Sequence, residues 1–192
     1  MQYVLRSARW LAHEVLKEVI SPGDTVIDAT AGNGHDTLFL AGLAGENGHV
    51  YSFDIQHEAI ESTRSLLKSN SVEDRVTLIC DGHENIPRYV STGVKAVVFN
   101  LGWLPGGDKS VTTLWETTRE AILNSLCLLE PLGVCTVCVY PGHEEGKRER
   151  NELLALLTGI KPQEFNILHQ VFVNAGPGSP ECFVIQKQSD HD

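Results

Sequence analysis

Long apolar runs are missing from this sequence. Its 192 residues contain no stretch of about 18 consecutive apolar residues, the length that a helix needs to cross a membrane. The first residues also lack a continuous apolar segment followed by small residues, which a secretory signal would have. We therefore predict a cytoplasmic protein without a membrane segment, or one that resides in a plastid or another organelle after processing.

Positive charge is in short supply. The chain has 15 Lys and Arg against 25 Asp and Glu, which gives a formal net charge of −10. Such a chain is not a general binder of the phosphate backbone, so any contact with nucleic acid requires a local basic patch. The hydrophobic fraction of 42% and the 17 glycines are those of a globular protein and exclude collagen-like and wholly disordered classes. The length predicts one domain over residues 1–192.

Cysteine and histidine patterns give no sign of a metal site. The five cysteines are odd in number and lie in apolar stretches, which indicates reduced, buried thiols. Cys135 and Cys138 form a C-x-x-C pattern, but residues three apart on a predicted strand point to opposite faces. The histidines show no spacing of the H-E-x-x-H kind. We therefore expect no bound metal.

Hydrophobic periodicity predicts strands and helices in alternation. The first twenty residues have the apolar spacing of an amphipathic helix. Thr113 and Glu116 have the spacing of a capping box, which places a helix start there. Predicted strands cover 25–28, 49–54, 75–80, 95–99 and 133–140, and further helices cover 37–43, 57–69, 113–129 and 144–157.

The carboxyl-terminal part has a different pattern. Strands are predicted at 165–173 and 182–187, and the segment between them has no room for a helix. Two strands joined so closely must be antiparallel. Five parallel strands that alternate with helices and end in an antiparallel hairpin predict a Rossmann-like, doubly wound α/β sheet.

Polar residues follow the predicted strands at the point where each strand ends. Ligands of open α/β sheets bind beyond these carboxyl ends. The residues are Asp28, Asp54, Asp81, Asn100 and the segment 140–143. Together they predict a ligand site along this edge of the sheet.

The turn after the first strand indicates the class of ligand. Ala31-Gly32-Asn33-Gly34 allows backbone N–H groups to approach a ligand closely. It matches neither G-x-G-x-x-G nor a P-loop, so a pyrophosphate is not expected and a nicotinamide dehydrogenase is the least favoured enzyme. An acid at the end of the second strand suits a ribose. The pattern favours a nucleoside-like ligand.

Three segments carry a family resemblance: residues 28–37 (DATAGNGHDT), 100–109 (NLGWLPGGDK) and 140–146 (YPGHEEG). They resemble the class I S-adenosylmethionine-dependent methyltransferases. More narrowly, they are similar to the YtqB-like family, long labelled rRNA methylases and now understood as the tRNA 5-aminomethyl-2-thiouridine methyltransferases (MnmM). The resemblance covers nearly the whole chain.

The resemblance implies both a fold and a reaction. The fold is a seven-stranded sheet of order 3-2-1-4-5-7-6, with the last strand antiparallel and an extra amino-terminal helix. The reaction is methylation of the 5-aminomethyl group of the wobble (2-thio)uridine of tRNA to 5-methylaminomethyl-(2-thio)uridine. S-adenosylmethionine would be the cofactor and a tRNA anticodon stem-loop the partner.

The family pattern also assigns residues to the cofactor. Gly32, Asn33 and Gly34 would wrap its amino-acid part. Residues of the next helix start would contact its carboxylate or amino end, and strand-end residues would hold the ribose and adenine. Besides those three, the implied cofactor residues are Asp28, Asp36, Thr37, Asp54, Gln56, Asp81, Gly82, His83 and Asn100.

Asn100-Leu101-Gly102-Trp103 takes the place of the N-P-P-Tyr motif of amino-methyltransferases, although both prolines are missing. The resemblance implies that Asn100 accepts a hydrogen bond from the target amine beside the transferring methyl. Trp103 would stack on the target base. Alternatively, Trp103 only packs beneath its loop.

An aminomethyl group must lose a proton before it attacks a methyl group, so a base or a site that favours the neutral amine is needed. His143 and Asp108 are the candidate bases, with Tyr140 placing the base or the amine. His13 is a further residue that either faces the cofactor cleft or packs without a catalytic role.

Basic residues near the predicted site are candidate phosphate contacts. They are Lys109, Lys147, Arg148 and Arg150, with Arg6, Arg9 and Lys17 from the first helix. The other interpretation is an ordinary solvated helix, since Glu144, Glu145 and Glu149 interleave with the basic residues. In a homodimer, the patch of one subunit would hold RNA for the site of the other.

Two further functions remain open at this point. One is methylation of rRNA or of a small molecule with the same cofactor site, which the acidic composition favours. The other is a protein that binds a nucleoside without catalysis. Asn100 makes the binding protein the less favoured of the two, because binding without catalysis needs no polar group beside the methyl.

Overall fold

The computed structural model describes residues 7–91, 93–104, 106–108 and 110–189. Five α-helices and seven strands occur in this part of the chain, and short 3₁₀ helices cover Glu73–Arg75 and His83–Arg88. The strands are β1 Thr25–Asp28, β2 His49–Phe53, β3 Val76–Ile79, β4 Val94–Asn100, β5 Leu129–Val139, β6 Phe165–Gln170 and β7 Glu181–Lys187. The helices are α1 Ala8–Val19, α2 His35–Ala44, α3 His57–Ser69, α4 Trp115–Leu128 and α5 Glu144–Thr158.

The seven strands form one sheet of order β3-β2-β1-β4-β5-β7-β6. Strands β1 to β5 are parallel to one another, and β7 is antiparallel to both β5 and β6. The predicted fold class and strand order are confirmed. Because the strand order reverses between β1 and β4, the crevice beyond their carboxyl ends is the expected ligand position.

Apolar side chains cover both faces of the sheet. Successive residues of a strand point to opposite faces, so Val26 and Ile27 belong to different clusters. One cluster includes Ile27, Phe99, Ile122 and Leu153, and the other includes Leu16, Val26, Leu40 and Val98. Each such burial contributes roughly 1.5–3 kcal/mol to folding, and together they fix the strand ends that form the site.

The cysteine prediction is partly right. Cys135, Cys138 and Cys182 are buried free thiols, and burial raises the pKa of Cys135 well above its usual value. The expectation of burial is wrong for Cys80 and Cys127, which are exposed. Cys80 lies after the end of β3, and Cys127 lies on the outer side of the last turn of α4.

The predicted capping box at the start of α4 is wrong. The helix begins at Trp115 after Leu114, and no side chain caps it. The Thr113 hydroxyl instead donates to Glu149 of α5, at 2.8 Å.

None of the helices in the described ranges is long and apolar enough to span a bilayer.

Candidate functional site

A cavity of about 620 Å³ opens at the carboxyl edge of the sheet. Asn33, Asp54, Asp81 and Asn100 all line it, although they lie at or after the ends of four different strands. The predicted convergence of strand ends is therefore present. The volume is in the range of small-molecule sites, about 300–1,000 Å³.

The glycine turn forms one wall of the cavity. Gly32 and Gly34 both have left-handed backbone, with φ of 53° and 82°. The Gly32 N–H donates to the Asp54 carboxylate at 2.9 Å. Gly34 does not line the cavity. It packs against α3, where a Cβ would lie 2.9 Å from Cα of Thr63.

Asp54 is held by backbone donors on both oxygens. Besides the Gly32 contact, its Oδ1 accepts from the Gln56 N–H at 2.9 Å. A carboxylate has about four acceptor positions, so two remain for hydroxyl groups of a ligand. Ile55 is 62% exposed beside it and gives the cavity an apolar surface. This combination suits a ribose next to a flat ring.

The end of β3 provides a second polar wall. Asp81 accepts from Gly82 N–H, from the Asn85 amide and from the Tyr89 hydroxyl, at 2.8, 2.9 and 2.9 Å. The Tyr89 hydrogen bond is the main reason why the pKa of Asp81 is lowered. His83 is buried, its pKa is lowered by that burial, and its Nδ1 lies 3.3 Å from the Ala29 carbonyl, to which it donates.

Asp28 and Thr37 do not line the cavity, although the resemblance implies that they contact the cofactor. The Thr37 hydroxyl donates to Asp28 at 2.6 Å, and Thr30 N–H donates to it at 3.1 Å. Burial, followed by the charge of Asp36, raises the pKa of Asp28 to about 7. Through these hydrogen bonds, Asp28 connects the start of the turn at Thr30 to Thr37 of α2.

Asp36 is the centre of a polar network between α1 and the cavity. Its side chain is only 8% exposed. Arg9 donates to it through Nε and Nη2 at 2.8 and 2.6 Å, and His13 Nε2 lies 2.6 Å from its Oδ1. Burial opposes ionisation of Asp36, but the hydrogen bonds from His13 and Arg9 outweigh it and lower its pKa.

Asn100 completes this network at the end of β4. Its Nδ2 donates to Oδ2 of Asp36, and its backbone N–H donates to the Thr30 hydroxyl at 2.8 Å. Its carbonyl oxygen Oδ1 is buried and has no hydrogen-bond partner in the described part of the chain. A buried acceptor without a partner is costly, so a donor in the cavity would relieve that cost.

Trp103 and His143 form an aromatic wall, with ring centroids 4.4 Å apart. His143 is also the N-cap of α5, because its Nδ1 accepts from Gly146 N–H at 3.2 Å. An Nδ1 that accepts requires the proton on Nε2, so the ring carries a donor and no free basic atom. Tyr140 lines the same wall, and burial raises its pKa to about 12, which keeps it a neutral phenol.

The loop that carries Trp103 is closed at its base. Trp103 pairs with Thr112 in an antiparallel bridge, and Gly102 N–H donates to the Thr113 hydroxyl at 2.9 Å. That hydroxyl donates in turn to Glu149, which is 1% exposed. The interpretation of Glu149 as a solvated residue is wrong. Its four-residue spacing from Leu153 was the available sign that it lies on the inner face of α5.

Several predicted residues do not line the cavity. Asp108 is exposed and accepts from Ser110 N–H at 2.8 Å, so its assignment as a catalytic base is not supported by its position. Lys147 pairs with Glu144 at 2.8 Å, and Arg148 pairs with Glu116. Lys109 and Arg6 lie outside the described residues. Leu101, Gly102, Trp103, Tyr140 and His143 do line the cavity, as does Arg9.

Comparison with known proteins gives a consistent picture. Residues 50–186 match the model of a family described as "Putative rRNA methylase". The chain is 41% identical over 165 residues to the chloroplastic tRNA (mnm(5)s(2)U34)-methyltransferase of Arabidopsis thaliana, with 81% of this chain aligned. The chain spans 60% of the length of that relative.

Two solved structures are similar over almost the whole chain. One, described as a "putative rRNA-methylase" of Clostridium thermocellum, has a TM-score of 0.94 and 42% identity over 96% of this chain and 100% of its own. The other, a "putative methyltransferase" of Streptococcus mutans in complex with SAH, has a TM-score of 0.87 and 34% identity over 96% and 99%.

Proposed function

Because the chain belongs to the "Putative rRNA methylase" family, we propose that it is an S-adenosylmethionine-dependent N-methyltransferase of tRNA. Its target would be the 5-aminomethyl group of the wobble (2-thio)uridine, and its product 5-methylaminomethyl-(2-thio)uridine. The observation that carries this proposal is the convergence of Asn33, Asp54, Asp81 and Asn100 on one cavity. The Arabidopsis relative is named for the corresponding nucleoside, which supports the choice of substrate.

The residues present suit S-adenosylmethionine. When bound, this cofactor supplies an electrophilic methyl group on a sulfonium. Asp54 has acceptor positions for the ribose hydroxyls, and Asp81 with Gly82 lies where an adenine edge would be recognised. Gly32 and Asn33 would surround the amino-acid part, because the left-handed turn at Gly32 keeps side-chain bulk out of the cavity.

Asn100 would align the incoming amine. The Asn100 side chain lines the cavity, and its Oδ1 is a buried acceptor without a partner among the described residues, so it would take one N–H of the amine and direct the nitrogen lone pair toward the methyl group. Trp103 would provide a face on which the base stacks. Alignment and removal of water are the main contributions that a protein makes to a displacement of this kind.

Proton removal does not require a base in the wall. His143 presents a donor, Tyr140 is a neutral phenol, and Asp108 is exposed and does not line the cavity. We propose that the amine binds in its neutral form. An uncharged acceptor such as Asn100 Oδ1 favours this form, because it gives an ammonium less stabilisation than a carboxylate would.

The partner would be the anticodon stem-loop of tRNA, and a homodimer would add basic groups from the second subunit. Among the lysines and arginines that the structure describes, Arg9 is the one that lines the cavity. The family description also leaves rRNA as a second candidate substrate.

Mass spectrometry of nucleosides from cells with and without this protein tests the substrate. We expect deletion to remove the methylated wobble nucleoside of tRNA and to accumulate its aminomethyl precursor. An unchanged tRNA profile together with a lost methyl group in rRNA would favour the second candidate instead.

A further inference from the structure

We propose that Asp36, held by Arg9 and His13 of α1, is a positioning residue that fixes the orientation of the Asn100 amide. This inference rests on the proposed function for its catalytic meaning. The structural part stands on contacts alone: Asp36 takes the NH₂ end of the amide, and the carbonyl end is left without a partner among the described residues.

The amide has two possible orientations that differ by a half turn. In the observed one, Nδ2 donates to a carboxylate, which is a strong charge-assisted hydrogen bond. In the flipped one, the amide oxygen would face that carboxylate, and two acceptors would repel each other. Asp36 therefore selects the orientation in which the remaining polar atom of Asn100 is an acceptor.

Asp36 can do this because it is itself immobile. Donors from Arg9, His13 and Asn100 occupy both of its oxygens, and its side chain is 8% exposed. It lies in the first turn of α2, where the helix dipole stabilises a negative charge. His13 is held in turn by stacking on Phe39, with ring centroids 3.9 Å apart.

The network makes α1 part of the site. The helix covers the sheet with apolar residues, but Arg9 and His13 extend from it to the residue that orients Asn100. The chemical consequence is selectivity for a nucleophile that can donate a hydrogen bond, from an N–H or an O–H. A nucleophile without a hydrogen would face an acceptor and bind poorly.

The competing role for Asp36 is a direct contact with the amino group of the cofactor. The two roles differ in what Asp36→Asn changes. This substitution keeps the size of the side chain but removes its charge, so the preference for one orientation of the Asn100 amide is lost. A positioning role predicts a large fall in kcat, about 100-fold, with little change in SAH affinity. A cofactor contact predicts a loss of SAH affinity.

The experiment measures Asp36→Asn and Glu18→Gln, an acid-to-amide change at an exposed position of α1 without a role in the network. SAH affinity is measured by calorimetry, and kcat and KM are measured with RNA that carries the aminomethyl group. Side-chain NH₂ signals of Asn100 are followed by ¹H–¹⁵N NMR. In the wild type we expect a hydrogen-bonded, slowly exchanging proton that is absent in Asp36→Asn and present in Glu18→Gln.

The pair His13→Gln and His13→Leu keeps the test decisive if Asp36→Asn does not fold. Gln retains a donor toward Asp36 and should preserve the NMR signal and kcat, whereas Leu should weaken both. Equal behaviour of the two His13 variants, an unchanged Asn100 signal in Asp36→Asn, or a loss of SAH affinity parallel to kcat would overturn the proposal. The NMR result needs no substrate, so it decides this inference even if the wild type does not methylate the aminomethyl RNA.

Discussion

At the scale of single residues, burial and hydrogen bonds together set the pKa of the acids in and behind the cavity wall. Asp28 is the clearest case, because its pKa of about 7 lies far above the ordinary carboxyl value of 3.8. The folded chain therefore binds more protons at Asp28 than the unfolded chain between about pH 4 and 7. Stability from this group is present at low pH and falls as pH rises from about 4 through 7.

This argument predicts the behaviour of Asp28→Asn. Its free energy of unfolding should rise relative to the wild type between pH 5 and pH 8, by roughly 2–3 kcal/mol, because the uncharged amide avoids ionisation in a buried place. Urea unfolding at the two pH values measures this change. The exposed Asp74→Asn serves as control. Equal stability differences at both pH values would contradict the assignment.

His143 gives a second prediction at this scale. Asn is a good N-cap, so His143→Asn should keep the bond to Gly146 N–H while it removes the imidazole. If the amine binds in its neutral form, kcat/KM should rise with pH through the pKa of the free substrate amine in both proteins. Disappearance of that rising limb in His143→Asn would show that the ring is the base after all.

Residue positions were predictable where a strand end fixes them. Asn33, Asp54, Asp81 and Asn100 could be assigned to one cavity because parallel strands end at one edge. The positions of Asp28, Thr37 and Asp108 could not, because a sequence does not show which side of a turn a side chain occupies. Asp36 was expected at the cofactor, and its partners on α1 are separated from it by more than 20 residues.

At the scale of elements, the closed base of the loop 103–112 is the feature with the clearest energetic consequence. Thr113→Val removes the hydroxyl that connects Gly102 N–H to Glu149, and it leaves the half-buried Gly102 N–H and one oxygen of the buried Glu149 without that partner. We expect a loss of about 1–3 kcal/mol in unfolding free energy and a higher KM for RNA, with SAH affinity retained.

Thr158→Val is the matched control for that loss, because the Thr158 hydroxyl bonds only within the exposed end of α5. Chemical denaturation of both variants measures the difference. If Thr113→Val were as stable as Thr158→Val, the hydrogen bonds of the Thr113 hydroxyl to Gly102 and Glu149 would contribute nothing to the unfolding free energy.

Elements were predictable to different degrees. The bounds of α3 agree with the prediction, because no glycine or proline interrupts its apolar spacing. The start of α4 does not agree with the prediction, since the Thr113 hydroxyl donates to Glu149 of α5 and does not cap α4. Strand β5 begins at Leu129, directly after α4, whereas the sequence predicted a start at residue 133. Leu132 has a positive φ, so the first residues of the strand do not have regular extended backbone.

At the scale of the whole molecule, the parallel sheet with its final antiparallel hairpin followed from the pattern of elements, whereas the strand order followed from the family resemblance. The oligomeric state does not follow in this way, because it depends on surfaces that the periodic pattern does not distinguish. Charge is the global property that bears on RNA. With a net charge of −10, the chain would depend on a few cations for the proposed contact with RNA.

Arg148 should not be one of these cations, because Glu116 and Glu145 pair with it and it lies outside the cavity wall. We expect Arg148→Gln to leave the salt dependence of RNA affinity unchanged, as Lys161→Gln should. Fluorescence anisotropy over a range of salt concentrations measures the slope. A decrease of about one unit in that slope would identify Arg148 as a phosphate contact.

The most direct measurement is methyl transfer from labelled S-adenosylmethionine to two anticodon stem-loops that differ only in the 5-aminomethyl group of the wobble uridine. We expect label only on the aminomethyl RNA, as a secondary amine, and we expect Asn100→Ala to abolish transfer while SAH still binds. Equal labelling of the unmodified RNA, or no labelling of either, would contradict the assignment of this cavity.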